Sequence, residues 1–466
     1  MPESKNSNTI SYKRFLFTTK GVSLLPKRAF LIFKRFGFDA KKIDKCTLDY
    51  LHILEKYNCR PTLFTTAILL TRYPSIFKNY LKEGAEFGCH GLFHGDYTQL
   101  SFEDQVKQMN GAQTFFQEYA IPCHGFRPPY LKWCHATTRA LGEAHYEWSS
   151  NQVILWDVLK QDDFKERHWS DYRKSITDLY LPQHEDRAYP LPNEREGMID
   201  IPVSIPDDEI LIDRLRITNQ EHIFDYWKAI FDKIYQSGGV FVHTTHHERI
   251  SYFNEALDVL LKYVTNAKHS IWIATLQEIY QWWKERNTFS FRIEKSGENE
   301  YCVQCNCSPR ATVLLKRQFN SAGCSWDNYH VIQDRPFIYR GTRKPAIGIP
   351  ANAPDELQSN LRSLGFAFEI SSRQEDYEIF LDEKQSASNN LRDLLEFIES
   401  SSGNVLRFWN WPDGHKCAFS ASSDIDSITL QDFYFRAKEF SRKGSLDEET
   451  FFEPTQRKGE NKCVKH

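Results

Sequence analysis

The stretch Gly84-Ala85-Glu86-Phe87-Gly88-Cys89-His90-Gly91-Leu92-Phe93-His94 decides the fold class. Gly84 follows an amphipathic run over residues 76–83 and suits the C′ position that ends a helix. Residues 85–89 then read as a short strand, and two histidines follow it at once. A helix, a strand and a pair of polar catalytic-type residues in that order is the grammar of an α/β enzyme. Two histidines four apart can face one way on a turn-like backbone. Imidazole nitrogens suit a divalent ion held with a third ligand, usually a carboxylate, and an open position. Asp96 follows closely enough to orient one of these ligands. Taken alone, an H-x-x-x-H also arises by chance in a loop that contains histidine.

The same alternation extends outward over residues 10–286. Residues 12–18, 61–67, 85–89, 124–126, 198–205, 239–242 and 270–274 read as strands. Residues 46–57, 102–119, 137–144, 254–264 and 275–286 carry apolar residues at helical spacing. Strands alternating with helices imply a mainly parallel sheet, open or closed into a barrel. Residues 287–343 alternate short extended runs with Gly, Asn, Ser and Asp, which suits a small β module. Residues 344–404 return to α/β as a second small module. Residues 405–440 hold a strand and a following helix, and residues 441–466 are charged, turn-rich and expected to be a mobile tail.

Two further segments carry chemistry. In Gly125-Phe126-Arg127-Pro128-Pro129-Tyr130, the prolines fix the backbone and so aim the Arg127 guanidinium. His243, His246 and His247 follow the apolar run 238–242, at the strand exit where parallel-sheet enzymes place catalytic groups. The bland readings are a rigid loop with an exposed arginine, and a solvated turn.

The order of these segments resembles the polysaccharide deacetylase family, the NodB-homology carbohydrate esterases. The likeness covers roughly residues 45–286. The family's H-(S/T)-x-x-H motif corresponds to His90 and His94, with Gly91 in place of the hydroxyl residue. Its R-x-P-(Y/F) motif corresponds to Arg127, Pro129 and Tyr130. Thr-Thr-His246-His247-Glu-Arg-Ile resembles the family's T-x-H-P-E-R-I form and selects His246 among the three local histidines. The resemblance implies a distorted, mainly parallel (β/α) barrel with two smaller modules appended.

One departure stands out. The family's first strand carries T-F-D-D-G, whose acids act as base and metal ligand. Here residues 15–21 read Phe-Leu-Phe-Thr18-Thr19-Lys-Gly, and threonine is no base near neutral pH. The acids recur at the far end, in residues 416–426, where Asp424 and Asp426 end a strand-like run. A D-x-D on extended backbone puts both side chains on one face. The expectation is a circularly permuted site completed by the C-terminal strand, since termini of a domain often lie close together. Two alternatives stand beside it. Residues 405–440 could be an independent remnant beside a metal-poor pseudoenzyme, or Asp424 could merely cap a helix beginning near Ser427.

The resemblance implies a hydrolase of non-peptide C–N bonds that removes N-acetyl groups from a sugar or polysaccharide. His90, His94 and Asp426 would hold a divalent metal, with zinc the expected ion. Asp424 would be the base, His246 the acid and Arg127 the residue that orients the base. Tyr130 would shape the substrate pocket. Trp133, Trp148 and Trp156 lie nearest the motifs as sugar-stacking candidates, and Trp133 is carried forward as substrate-binding. Other functional classes are a carbohydrate-binding protein without turnover and a hydrolase of another non-peptide C–N bond.

Composition sets the outer limits. The 466 residues suit about three domains. Lys plus Arg number 59 and Asp plus Glu 62, a net charge of −3, which gives no support for broad nucleic-acid binding. With 34 Phe, 22 Tyr and 11 Trp the chain can bury a large core, so disorder is excluded for most of it. No apolar run approaches the roughly 20 residues of a membrane span. No secretory signal is visible, so the 11 cysteines read as reduced thiols and the protein is expected to be cytoplasmic. Cys302, Cys305 and Cys307, with Cys324 later, offer a second metal candidate without a clean paired C-x-x-C spacing. Pro206-Asp207-Asp208-Glu209 reads as a helix-start cluster that could enter the cleft. Oligomeric state leaves no mark on the sequence.

Overall fold

The computed structural model describes residues 32, 35–176, 180–266, 268–316, 328–382 and 391–441. The strand expected over residues 12–18, with Thr18 and Thr19, lies outside them, as do Cys324 and the tail from 442 onward.

A nine-stranded sheet organises the first 286 residues. Its strands are β1 (Thr62–Thr65), β2 (Glu86–Cys89), β3 (Gly125–Phe126), β4 (Trp148–Ser149), β5 (Asn193–Arg195), β6 (Met198–Asp200), β7 (Val240–Thr245), β8 (Ile271–Ile273) and β9 (Cys417–Ile425). The order is β7-β9-β1-β2-β3-β4-β6-β5, with β8 also on β9. Every pairing is parallel except the β5–β6 hairpin. That hairpin turns through Glu196 and Gly197 at φ 50° and 78°, the two left-handed residues that a type I′ turn needs.

Each crossover helix shows one apolar stripe. In α1 (Lys41–Glu55) the buried residues are Ile43, Thr47, Tyr50, Leu51 and Leu54, a 3.6-residue repeat. Ser101 caps α2 (Phe102–Glu118), accepting from the Asp104 amide at 3.1 Å. Helix α3 (Gln220–Ser237) stops at Gly238, whose φ of 70° the next turn requires. Helix α4 (Asn254–Val264) buries Leu257, Leu260, Leu261 and Val264. Helix α5 (Leu276–Arg286) starts on a reciprocal Thr275–Glu278 capping box.

The C-terminal strand lies inside this sheet. All nine residues of β9 are buried, as both faces of a central parallel strand should be. One edge pairs with β7 over residues 418–423. The other edge pairs first with β8 over 417–419 and then with β1 over 422–425. The chain's return is pinned upstream. Trp411 donates its indole N–H to the Gly238 carbonyl at 2.8 Å, Trp282 donates to Asn410 O at 2.7 Å, and Arg286 donates to Trp409 O at 3.1 Å. Helix α6 (Leu430–Ser441) follows β9 and is capped by Thr429 and Asp432.

The appended modules are three-stranded. Glu300–Asn306 pairs antiparallel with Ser290–Gly297 and Phe337–Arg340. Lys344–Ile349 runs parallel between Phe368–Ile370 and Tyr377–Phe380. Leu406–Phe408, assigned from sequence to the barrel-completing segment that begins at 405, pairs instead with Val313–Lys316. Only the chain beyond it enters the large sheet. Residues 198–205 divide into two strands, and Val203–Ile205 belongs to a separate three-stranded sheet with Val153–Leu155. No helix among the described residues is long and apolar enough to cross a membrane.

Candidate metal and active site

The carboxyl ends of β1, β2, β7 and β9 gather the polar residues. His90 follows β2, its amide donating to Thr65 O at 2.8 Å. The next residue, Gly91, has φ +91°, and a Cβ there would meet Phe93 O and the Tyr97 ring at 2.9 Å. The absent hydroxyl at this position therefore has a steric cause: the loop turns where only glycine fits.

His90 Nδ1 donates to the Arg127 carbonyl at 2.8 Å. A ring that donates from Nδ1 presents a lone pair at Nε2. That nitrogen lies 3.5 Å from Asp426 Oδ1, and His94 Nε2 lies 3.1 Å from the same oxygen. Asp426 Oδ1 is buried with no hydrogen-bond partner. Burial pushes the His90 and His94 imidazoles down, His94 to about 4, so both are neutral near pH 7. Burial also pushes the Asp426 carboxyl up, but the neighbouring His94 ring and the Arg436 guanidinium more than offset it and hold the carboxyl well below the usual carboxylate range. Two neutral imidazoles and a carboxylate oxygen thus converge without a shared proton. This donor set fits a divalent ion, and it is one of two such groups among the described residues. The cysteines at 302, 305 and 307 form no such group.

Asp424 sits two residues back on the same face of β9. It accepts from Arg127 Nη1 at 2.9 Å. Arg127 is fully buried and also donates to Ser422 Oγ and Ser150 Oγ, each at 3.1 Å. Its guanidinium lies 4.0 Å from the centre of the Phe64 ring. Helix α6 begins at Leu430 on its own cap, so Asp424 does not serve as one.

The three histidines of the β7 region part company. His243 is inside the strand, packed edge-on against Trp227 at 4.4 Å, and is a core residue. His247 donates from Nδ1 to Ser423 Oγ at 2.9 Å and is pushed by burial to about 4. His246 Nδ1 lies 2.9 Å from Asp208 Oδ1. Burial would push His246 down, yet Asp208, opposed by Arg249, more than reverses it and holds the imidazole well above its usual range. Asp208 is fully buried and accepts from Arg249 on its other oxygen at 3.3 Å. Its neighbour Asp207 does cap a helical turn, accepting from the Ile210 amide at 2.9 Å. The acidic run thus divides: one aspartate starts the turn and the next reaches the histidine.

Tyr130 has φ +61° and sets its ring edge-on to His94 at 4.6 Å. Trp133 is half-buried, 5.2 Å from the Arg195 guanidinium, in a crevice with Ser149, Asn151 and Asp200. Trp148 and Trp156 are 0% and 4% exposed and belong to the core, where no sugar could stack on them. Asp96 supports a local turn and Lys132 rather than a histidine, accepting from Thr98 and from Lys132 Nζ at 3.1 Å. Arg436, which the sequence did not single out, donates to Asp426 Oδ2 at 2.7 Å.

Residues 36–148 match the polysaccharide deacetylase family model. Over this segment the chain is similar to polysaccharide deacetylases. The matched segment includes His90, His94, Arg127, Tyr130 and Trp133 and ends before His246, Asp424 and Asp426. Peptidoglycan-N-acetylmuramic acid deacetylase PdaC of Bacillus subtilis is 28% identical over 149 residues, 32% of this chain and 29% of that protein. A peptidoglycan-N-acetylglucosamine deacetylase of Bacillus cereus is 29% identical over 110 residues, 24% of this chain and 49% of that protein. Chitin deacetylase 1 of Saccharomyces cerevisiae is 28% identical over 123 residues, 24% of this chain and 38% of that protein. Each match spans under half of the relative's own length. A polysaccharide deacetylase structure from Mycobacterium smegmatis superposes with a TM-score of 0.39 and 17% identity, covering 57% of this chain and 84% of that one.

Proposed function

We propose that this protein is a metal-dependent hydrolase that removes N-acetyl groups from a carbohydrate, and that its catalytic strand has moved to the C-terminal end by circular permutation. The observation that carries both parts is the meeting of His90, His94 and Asp426 beside the Arg127–Asp424 pair, with β9 seated between β1 and β7.

His90, His94 and Asp426 would hold the ion. When bound, a divalent ion such as zinc acts as a Lewis acid towards the amide carbonyl and makes water more acidic. Asp424 accepts a proton from the attacking water, and the charge-assisted bond from Arg127 aims its carboxylate. His246, held cationic by Asp208, gives its proton to the departing amine nitrogen. The amide C–N bond breaks, acetate takes the water oxygen, and the sugar keeps a free amine. Tyr130 stands edge-on beside His94 and would shape the substrate pocket there, whereas Trp133 lies in a separate crevice with Arg195 and Asp200.

The test is acetate release from chitin oligomers and peptidoglycan fragments, paired with the metal content of the wild type, His90→Ala and Asp426→Ala. Stoichiometric metal lost in both variants, with acetate released by the wild type alone, supports the reading. Metal lost in His90→Ala but kept in Asp426→Ala removes the assigned third ligand. Glycan binding without acetate release would make the protein a non-catalytic carbohydrate-binding relative. Release of ammonia or amine from a non-sugar amide would make it a hydrolase of another C–N bond.

A further inference from the structure

The two acids at the carboxyl end of β9, Asp424 within it and Asp426 just after it, are held by two different arginines. Arg127 reaches Asp424 from the loop after β3, and Arg436 reaches Asp426 from the second turn of α6. Arg436 Nη1 donates to Asp426 Oδ2 at 2.7 Å, while Oδ1 points at the two histidines. The guanidinium is 15% exposed and lies 5.9 Å from the Tyr130 ring centre and 5.6 Å from that of Phe433. Tyr130 in turn packs edge-on against His94. Asp426, Arg436, Tyr130 and His94 therefore form a closed circuit of contacts around one carboxylate. Helix α6, which carries Arg436, is tied down by Asp432, which accepts from Arg72 at 3.0 Å and from Tyr73 at 2.9 Å. The arginine is thus presented from an anchored helix rather than from a free surface.

A carboxylate with both oxygens available can turn about its last bond and offer either or both to a cation. One with a strong charge-assisted bond on Oδ2 offers only Oδ1. Against this, a guanidinium so close to a cation site repels the cation. The two effects have opposite signs, which makes them separable.

We infer that Arg436 is a positioning residue that fixes Asp426 as a one-oxygen ligand, so that its removal weakens metal binding in spite of the positive charge it removes. This rests on the proposed metal site. Hydrogen-bond partners behind a metal ligand are typically worth about 10–100-fold in affinity.

The experiment is competition of the purified full chain against a chromophoric chelator, with zinc and with cobalt, for the wild type, Arg436→Gln and Arg436→Lys. The metal-free thermal midpoint is measured alongside. Arg436→Gln is expected to bind about tenfold or more weakly. Arg436→Lys, which keeps one donor for Oδ2, is expected to recover most of the loss. The visible absorption of the cobalt form should fall in intensity in Arg436→Gln, as a freed second oxygen raises the coordination number, and return in Arg436→Lys. Equal or tighter binding by Arg436→Gln, or an unchanged cobalt spectrum, overturns the inference and leaves the metal site standing. A Gln variant and a Lys variant that lose affinity equally, in step with the metal-free midpoint, reduce Arg436 to a structural role and also overturn it. A wild type that binds neither metal overturns the site itself.

Discussion

Arg127 and Asp424 stand 297 residues apart in the chain and share a buried 2.9 Å ion pair. A guanidinium with no exposed surface and one carboxylate is strongly held only while both partners remain. Arg127→Met should lower unfolding free energy by about 3–5 kcal/mol, because Asp424 would be left buried without its cation. Arg127→Lys should fail as well, since one ammonium cannot serve Ser150, Ser422 and Asp424 from a rigid fork. Urea titration monitored by tryptophan fluorescence reads both. A loss below about 1 kcal/mol, the worth of an exposed pair, would show that the pair is not buried in solution.

The His246–Asp208 pair sets a pH limit. His246 is raised well above its usual range by Asp208, so its proton is lost only at high pH. If it is the acid, kcat should fall as pH rises through that raised value. Asp208→Asn removes the stabilising charge and should move the alkaline limb to lower pH. Stability follows the same sign. A group whose folded pKa lies above its unfolded value contributes fully below the unfolded value, ~6.5, and loses that contribution as pH climbs through the folded one. Wild-type stability should therefore decline on the alkaline side, and in Asp208→Asn, where burial and Arg249 push His246 down, that decline should disappear. Denaturation midpoints across a pH series settle it. Superimposable profiles would remove Asp208 from the assignment.

Restoring a hydroxyl at Gly91 should harm the protein. The backbone there is at φ +91° and a Cβ would sit 2.9 Å from Phe93 O and Tyr97. Gly91→Ser should cost about 1–3 kcal/mol of stability through strain alone. Metal affinity should drop with it, because His90 is the adjacent residue. A serine variant as stable as the wild type would show that this loop relaxes freely.

A chain that stops at residue 400 lacks β9 altogether. It should be insoluble, or should unfold without cooperativity, since β7, β8 and β1 would lose their common neighbour. Full metal affinity and a sharp unfolding transition in that truncated chain would rule out completion of the site by the C-terminal strand.

What the sequence made legible was local. The histidine pair follows its strand within one residue, and Arg127 to Tyr130 are fixed by their own prolines, so spacing alone reveals them. The D-x-D of β9 was visible because extended backbone alternates with period two. Helices with a clean apolar stripe, such as 102–118, were equally plain. One site residue was legible only as a member of an acidic run and another not at all, for physical reasons. Asp208 meets His246 across 38 residues, and its acidic neighbours mask it, since Asp207 does the capping that the run suggests. Arg436 is one of several charges on an amphipathic helix, and only the packing of α6 shows which charge turns inward. Trp148 and Trp156 were overvalued because proximity in sequence to a motif says nothing about which face a ring occupies. The hairpin β5–β6 and the strand Tyr377–Phe380 are too short to show periodicity.

The seat of β9 between β1 and β7 has a consequence for the newborn chain. At about 5–20 residues per second, the 297 residues from Arg127 to Asp424 take roughly 15–60 s to synthesise. Throughout that interval the histidines have left the ribosome without their acids, and two strand edges face an open slot. Open edges invite pairing with other chains. Assembly of the proposed metal site and safe folding are thus both deferred to one late event, the insertion of a nine-residue strand, and the cell has a window of up to a minute in which to guard the gap.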